Sequence, residues 1–376
     1  GESLENGEFQ NDISELELDG IQENIKKIIV MLKRENIEYK LKMELGIDYL
    51  KNFQTSPPFK QEKLNVVISP LGTLLHIAAG NVDALPVYSL LEGLLTGNVN
   101  ILKLPQADNG LSIKIIMKMI EIEPEIADFI YVFDTPSSDL YAIKRMAEIS
   151  DGIIVWGGDE AISAVRKFAP IGCRIIEWGH KLGFVYISGY ENKEKELEEL
   201  AEHIISTKQL LCSSCQTIYI NTDDIKELYE FCDVFLPIME KIALKYPLKS
   251  IDSIAENSLR NYNNILEDII SDKFTNVGDK YIGENCSLTI CQDSTLELSN
   301  MFGNCLVKKL PLSELFSTLR KTKGYLQTAG LICESDDREM ISEILINAGL
   351  VRIMRVRDMS SVFSGESHDG TYALRH

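Results

Sequence analysis

The chain has 376 residues, 45% of them hydrophobic and 25% charged, and carries a formal net charge of −19. That length allows two domains and a large core. The acidic balance argues against a nucleic-acid partner, which needs a basic patch to displace counterions, and gives no grip on an anionic membrane.

Residues 1 to about 18 are acidic and polar, and are expected to be loosely ordered. Ile21, Ile25, Ile28, Ile29 and Leu32 recur at helical spacing, and a second helix is expected near Leu41 to Lys51. Gln54-Thr-Ser-Pro-Pro reads as a linker. Apolar runs then alternate with helical patterns. Strands are expected at Leu64 to Ser69, Leu74 to Ala78, Asn100 to Leu104, Ile130 to Phe133, Gly152 to Trp156 and Arg174 to Glu177. Helices are expected at Pro86 to Leu95, Leu111 to Ile122, Asp139 to Ile149 and Asp159 to Phe168. That alternation indicates a doubly wound, largely parallel sheet, which binds ligands beyond the carboxyl ends of its strands.

A strand at Phe184 to Ser188 and a charged helix near Lys193 to Lys208 follow, then a looser α/β rhythm from Thr217 to Val356. The expected division is an N-terminal helical segment (1–58), a cofactor-binding domain (59–206), a catalytic domain (207–360) and a C-terminal segment (361–376) returning toward the active-site cleft. No apolar run reaches membrane-spanning length and the N-terminus is acidic, so a cytoplasmic protein without membrane insertion is expected. The eight dispersed cysteines (173, 212, 215, 232, 286, 291, 305, 333) are expected to be reduced thiols.

Cys212 stands out because it lies in a polar turn, Cys212-Ser-Ser-Cys215, between a helix and a strand. A nucleophilic cysteine needs its thiolate stabilised by backbone N–H groups or nearby positive charge. Most cysteines are instead small buried hydrophobes. The Cys-x-x-Cys spacing also admits a redox dithiol, so a reversible Cys212–Cys215 disulfide that silences the nucleophile is an open expectation; zinc lacks a second ligand pair. Glu177, after Ile175-Ile176, is either an unpaired general base or a salt-bridged strand terminus. Gly157-Gly158 joins a strand to a helix, as a pyrophosphate cradle or merely as a turn. Asn81, after Gly80, is an oxyanion donor or a turn residue; Lys103 reaches a ribose or phosphate, or is a solvated strand end.

Taken in order, Ser69-Pro-Leu-Gly, Ala79-Gly-Asn81, Gly97-Asn-Val-Asn-Ile-Leu-Lys103, Trp156-Gly-Gly-Asp-Glu160, Glu177-Trp-Gly-His-Lys181, Cys212-Ser-Ser-x-Gln216 and Gly365-Glu-Ser-His-Asp-Gly370 resemble the aldehyde dehydrogenase superfamily. Within it they resemble the acyl-CoA reductase family of the bacterial luciferase operon, over about residues 60 to 376. The resemblance implies an α/β fold with a Rossmann-like doubly wound cofactor domain plus a second α/β catalytic domain. It implies Cys212 as nucleophile, Asn81 as oxyanion donor and Glu177 as general base. For the cofactor it implies Lys103 at the adenosine ribose, Gly157 and Gly158 under the phosphates, and Phe302 beside the nicotinamide ribose. Asn300 stands where the superfamily often has a Glu, and Cys215 where relatives often have Pro. Gln106 replaces a carboxylate that would repel a 2′-phosphate, which favours NADPH while leaving NADH open.

The implied activity is reduction of a long-chain acyl-CoA or acyl thioester to the aldehyde through an acyl-cysteine. An acyl-protein synthetase is the implied partner, and a homo-oligomer is compatible with the reading. An aldehyde oxidiser, an acyl-phosphate reductase or a non-catalytic acyl-binding scaffold are the alternatives.

Overall fold

In a computed structural model of the chain, the described residues are 2–7, 29–46, 53–55, 63–80, 84–106, 108, 110–248, 251–270 and 280–375. Asn81, most of the acidic N-terminal stretch and most of the helix expected from Ile21 to Leu32 lie outside them. They form two compact units: Gly1–Gly179 with Val362–His376, and His180–Ser361.

In the first unit, helix α1 (Arg34–Leu45) begins and ends earlier than its apolar spacing suggests. Gly46 at φ 102° stops it, its N–H donating to the Lys42 carbonyl at 3.0 Å. Strands β1 (Phe53–Thr55) and β2 (Leu64–Val66) form a short antiparallel ribbon. Leu64 and Val67 are exposed, so the strand expected to run on to Ser69 ends early. The main sheet comprises β3 (Thr73–Ile77), β4 (Val99–Lys103), β5 (Ile130–Phe133), β6 (Gly152–Trp156) and β7 (Arg174–Trp178), all parallel, in the order β5-β4-β3-β6-β7. On one face Leu102 and Ile130 pack with residues of α2 (Leu85–Leu95) and α3 (Leu111–Ile122). On the other, Leu75, Ile153 and Val155 pack with α4 (Leu140–Glu148) and α5 (Asp159–Phe168). This is the doubly wound arrangement, and its topological switch point lies where the chain leaves β3 in one direction and β6 in the other.

The centre of this sheet is polar. His76 on β3 is wholly buried. Its Nδ1 lies 2.8 Å from Ser89 Oγ and its Nε2 lies 3.0 Å from Asn100 Oδ1. Asn100 Nδ2 donates to the Asn98 carbonyl, which leaves Oδ1 as the acceptor for His76, so the ring is neutral with its proton on Nε2. Trp156 Nε1 donates to the same Ser89 hydroxyl at 3.1 Å. Gly93 admits this cluster, since a Cβ there would lie 1.9 Å from Asn100 Oδ1.

Burial lowers the His76 pKa from an ordinary 6.5 to about 4. The unfolded chain therefore binds the extra proton first as pH falls. Stability that is intact above pH 6.5 is expected to decline toward pH 4, by about 3 kcal/mol from this residue. Urea denaturation across that range checks it, and His76→Gln should flatten the slope.

The second unit is a seven-stranded sheet in the order β10-β11-β12-β9-β8-β13-β14. Its strands are β8 (Leu182–Ile187), β9 (Cys215–Ile220), β10 (Lys280–Ile282), β11 (Ser287–Cys291), β12 (Asn304–Lys309), β13 (Leu326–Ile332) and β14 (Arg352–Met354). All pairings are parallel except β10 with β11. Every residue of β8, β9 and β13 is buried, as befits strands covered on both faces. Val185, Ile187 and Ile218 join a core with α6 (Lys193–Ser206) and α7 (Ile225–Ala243). Phe184, Tyr186 and Tyr219 face α9 (Leu312–Leu319) and α10 (Arg338–Ala348). Helix α8 (Ile251–Ile270) lies between α7 and β10 in the chain.

The units divide at 179/180, not at the 206/207 boundary expected from the sequence. The reason is hydrogen bonding: β8 pairs with β9 and β13, which takes it and the following α6 into the second sheet. Among the described residues no helix is long and apolar enough to cross a membrane.

Candidate active site

The second unit places Cys212 in a tight turn between α6 and β9. The Ser214 N–H donates to the Leu211 carbonyl at 2.9 Å, which makes Leu211 to Ser214 a β-turn with Cys212 in its second position. The Ser214 hydroxyl accepts the Leu211 N–H at 3.2 Å. At the far end the Cys215 N–H donates to His203 Nε2 at 3.2 Å, reaching back to α6. Gly183 on β8 lets the turn seat: a Cβ there would lie 2.5 Å from the Ser214 carbonyl oxygen and 2.9 Å from backbone atoms of Ser213.

Cys212 is half-buried, whereas Cys215, Cys232, Cys286, Cys305 and Cys333 are buried. Burial pushes the Cys232 and Cys286 thiols up to about 12 and that of Cys291 up to about 11. Cys215 is also raised, by burial first and by neighbouring Cys305 second. Thiols so held stay protonated and unreactive. None of the eight cysteines is bonded to another. A Cys212–Cys215 disulfide would have to recruit this raised, fully buried Cys215 thiol.

Two segments flank the turn in unusual backbone. Lys208 and Gln209 have φ of 51° and 58°, and Met301, Phe302 and Gly303 have φ of 59°, 50° and 86°. The Phe302 N–H donates to the Lys208 carbonyl at 2.9 Å. Phe302 is buried at 5% exposure, and with Ile205, Lys208, Leu244, Tyr246 and Ile254 it lines a cavity of about 370 Å³.

In the first unit, Lys103 ends β4 and is 2% exposed. Among the described residues its ammonium donates one hydrogen bond, to Ser137 Oγ at 2.9 Å. Burial lowers its pKa, with Asp134 opposing. A buried ammonium with donor capacity to spare, at the carboxyl end of a parallel strand, suits a ribose hydroxyl or a phosphate. Gln106, just beyond, is exposed.

Gly157 and Gly158 follow β6 at the switch point. The Gly157 N–H donates to the Trp178 carbonyl at 3.1 Å, and its bare Cα lets α5 approach, since a Cβ would lie 3.0 Å from that of Ala161. A Cβ on Gly158 would meet nothing within 4 Å, so the start of α5 has an open face where an anion can sit. Asp159 and Glu160 in the first helical turn already use the helix dipole, but both are exposed. These features fit a dinucleotide.

Glu177 is the salt-bridged strand terminus of the two readings. Arg166 on α5 grips it from both sides, Nε to Oε1 at 2.5 Å and Nη2 to Oε2 at 2.6 Å. Each carboxylate oxygen thus accepts one guanidinium hydrogen bond, as a strand-terminal ion pair does. Loss of a working general base costs about 10²- to 10⁴-fold, so if the chain has the thioester reduction that the sequence resemblance implies, Glu177→Gln is expected to leave it within about threefold of wild type. Initial rates on the purified variant check this.

The C-terminal segment groups with the first unit. Its His368 ring lies 5.3 Å from Trp156 and 4.9 Å from Trp178. Glu44 accepts the Leu374 N–H at 2.8 Å while its other oxygen binds Lys40. Gln209, Gln216, Ser299 and Gly183 around the Cys212 turn escape sequence reasoning; only Gln216 belongs to a recognised motif.

The fold is that of aldehyde dehydrogenases. A putative methylmalonate-semialdehyde dehydrogenase from Sinorhizobium meliloti, complexed with NAD, superposes with a TM-score of 0.67 at 16% identity, covering 89% of this chain and 70% of that one. An NADP-dependent glyceraldehyde-3-phosphate dehydrogenase from Bacillus halodurans, complexed with NADP, gives 0.64 at 14% identity, covering 89% and 71%. The chain belongs to the acyl-CoA reductase (LuxC) family, whose model matches residues 5–376. It is similar to the long-chain acyl-protein thioester reductase of Vibrio harveyi, 29% identical over 178 residues, which are 46% of this chain and 36% of that protein. That of Aliivibrio fischeri is 27% identical over 198 residues, 51% of this chain and 41% of the relative. The matched stretch thus spans well under half the length of either relative.

Proposed function

We propose that the chain reduces a long-chain acyl thioester, acyl-CoA or acyl-protein, to the aldehyde through an acyl-Cys212 intermediate, with NADPH as the preferred cofactor. The observation that carries this is the half-buried Cys212 in a turn anchored at both ends, where most of the other cysteines are buried.

In this reading Cys212 Sγ attacks the thioester carbonyl carbon. Asn81 donates to the oxyanion, the C–S bond to the leaving thiol breaks, and the acyl group stays on Cys212. Lys103, the open start of α5 at Gly158, and Phe302 hold the cofactor, and the neutral Gln106 tolerates a 2′-phosphate. A bound nicotinamide cofactor supplies the hydride that takes the acyl group to the aldehyde level. Release of the aldehyde returns Cys212 as a thiolate. An aldehyde oxidiser must hydrolyse its acyl-enzyme and needs a base for that step; the carboxylate available for that duty, Glu177, is engaged by Arg166, which supports the reductive direction. The relatives' names support an acyl-protein donor, and an acyl-protein synthetase is the partner that would load it.

Absorbance of the reduced cofactor tests the proposal. Oxidation of NADPH on adding a long-chain acyl-CoA, with aldehyde formed in equal amount, is expected. Turnover of free aldehyde with NAD and none of acyl thioester would overturn it.

A further inference from the structure

The turn that carries Cys212 and the loop that carries Phe302 are joined by a buried polar cluster. Gln209, Gln216 and Ser299 are 0%, 3% and 6% exposed. Gln209 Nε2 donates to the Cys215 carbonyl at 2.8 Å and to Ser299 Oγ at 3.0 Å, and its Oε1 accepts the Gly303 N–H at 3.1 Å. Gln216 Nε2 donates to the Gln209 carbonyl at 2.8 Å. Gln216 Oε1 accepts both the Ser299 hydroxyl at 2.8 Å and the Ser299 N–H at 3.3 Å. Ser299 Oγ also accepts the Met301 N–H at 3.1 Å.

Three side chains thus hold both ends of the Cys212 turn, at residues 209 and 215–216, and both ends of the loop from 299 to 303. Each segment contains two consecutive non-glycine residues in left-handed backbone. Such residues cost on the order of 1–3 kcal/mol each and persist only where the surroundings impose them. Buried amides and a hydroxyl, each using both donor and acceptor capacity, are what imposes them here; an apolar filler of equal volume would pack without holding either backbone.

From this we infer that Gln209, Gln216 and Ser299 are positioning residues that set Cys212 against the Phe302 loop. The inference rests on the reading of Cys212 as nucleophile and Phe302 as a wall of the nicotinamide site. The cluster holds the sulfur and that wall in one register, so that a carbonyl bound to the sulfur stays where hydride can reach it. Misplacement of about 1 Å costs on the order of a hundredfold in rate.

Ser299→Ala removes the central oxygen and little volume, and Gln209→Met removes the amide altogether. Tyr186→Phe is the control, because it deletes one buried hydrogen bond of the same unit, to the Leu310 carbonyl, away from the cluster. Two rates are measured on the full chain: alkylation of Cys212 by iodoacetamide, mapped by mass, and single-turnover acylation by a long-chain acyl-CoA. Both Ser299→Ala and Gln209→Met are expected to lower the maximal single-turnover acylation rate about 10- to 100-fold, with the half-saturating acyl-CoA concentration within about threefold, and to change the alkylation rate of Cys212 at least about threefold. Tyr186→Phe should leave both rates within about twofold, and Ser299→Thr, which keeps the hydroxyl, should recover most of the loss. Should Gln209→Met not fold, Ser299→Ala alone carries the test.

Folded Ser299→Ala with wild-type alkylation and acylation would overturn the inference, as would equal losses in Tyr186→Phe. Alkylation needs no substrate. Wild-type protein that is never acylated, while the alkylation rates still separate the variants, would sink the proposed reaction and spare the positioning role.

Discussion

Cys212→Ala is expected to lose acyl transfer and aldehyde formation together, by at least about a thousandfold, because in the proposed reaction one sulfur serves both half-reactions. Deleting a half-buried side chain from a turn removes little packing, so the melting temperature should stay within about a degree or two of wild type. Pre-steady-state acylation, steady-state NADPH oxidation and a thermal melt on one preparation separate lost chemistry from lost fold. Buried Cys232, Cys286 and Cys215 are poor substitutes, since burial holds Cys232 and Cys286 near pKa 12 and raises Cys215 well above its ordinary value. Retained acylation in this variant would move the nucleophile elsewhere.

Gly183→Ala should disturb the Cys212 turn directly. The added Cβ would meet the Ser214 carbonyl oxygen at 2.5 Å and Ser213 backbone atoms at 2.9 Å. Those neighbours are backbone, so no rotamer change relieves them. Either β8 shifts from β9 or the turn moves, and Gly183 already pairs with Cys215 at an irregular register. Overpacking of this kind costs about 1–3 kcal/mol. The same displacement carries Cys212 with it, so the acylation rate is expected to fall about 10- to 100-fold even at temperatures where the variant is folded. Thermal melts and single-turnover acylation measured side by side check both parts; a variant destabilised but fully active would show that the turn tolerates movement.

Much of the fold was legible because its strands are short, apolar and buried on both faces, and its helices carry 3.6-residue stripes. The boundaries expected for Ile130–Phe133, Gly152–Trp156 and Asp159–Phe168 match the structure. The unit to which β8 belongs was not legible. An apolar run such as Phe184-Val-Tyr-Ile fits any parallel sheet, and its partners, β9 and β13, are fixed only by long-range hydrogen bonding. Local pattern also cannot show that Glu177 meets Arg166, since the pairing depends on how α5 lies across β7. The cluster around Gln209 left still less trace. Left-handed backbone usually announces itself through glycine or asparagine. At Lys208, Gln209, Met301 and Phe302 it accompanies hydrogen bonds between Gln209 and residues 299 and 303, some ninety residues away, which no local signal records. The Cys212 turn was readable for the opposite reason: its serines and spacing are local.

The most direct test is to catch the acyl group on its residue. The protein is incubated with a long-chain acyl-CoA in the absence of reduced cofactor, quenched in acid, digested and mapped by mass spectrometry. About one acyl group per chain is expected, on the peptide containing Cys212 and released by neutral hydroxylamine as a thioester should be. An adduct on any other residue, or a chain that turns over acyl-CoA with no covalent adduct at all, would contradict it.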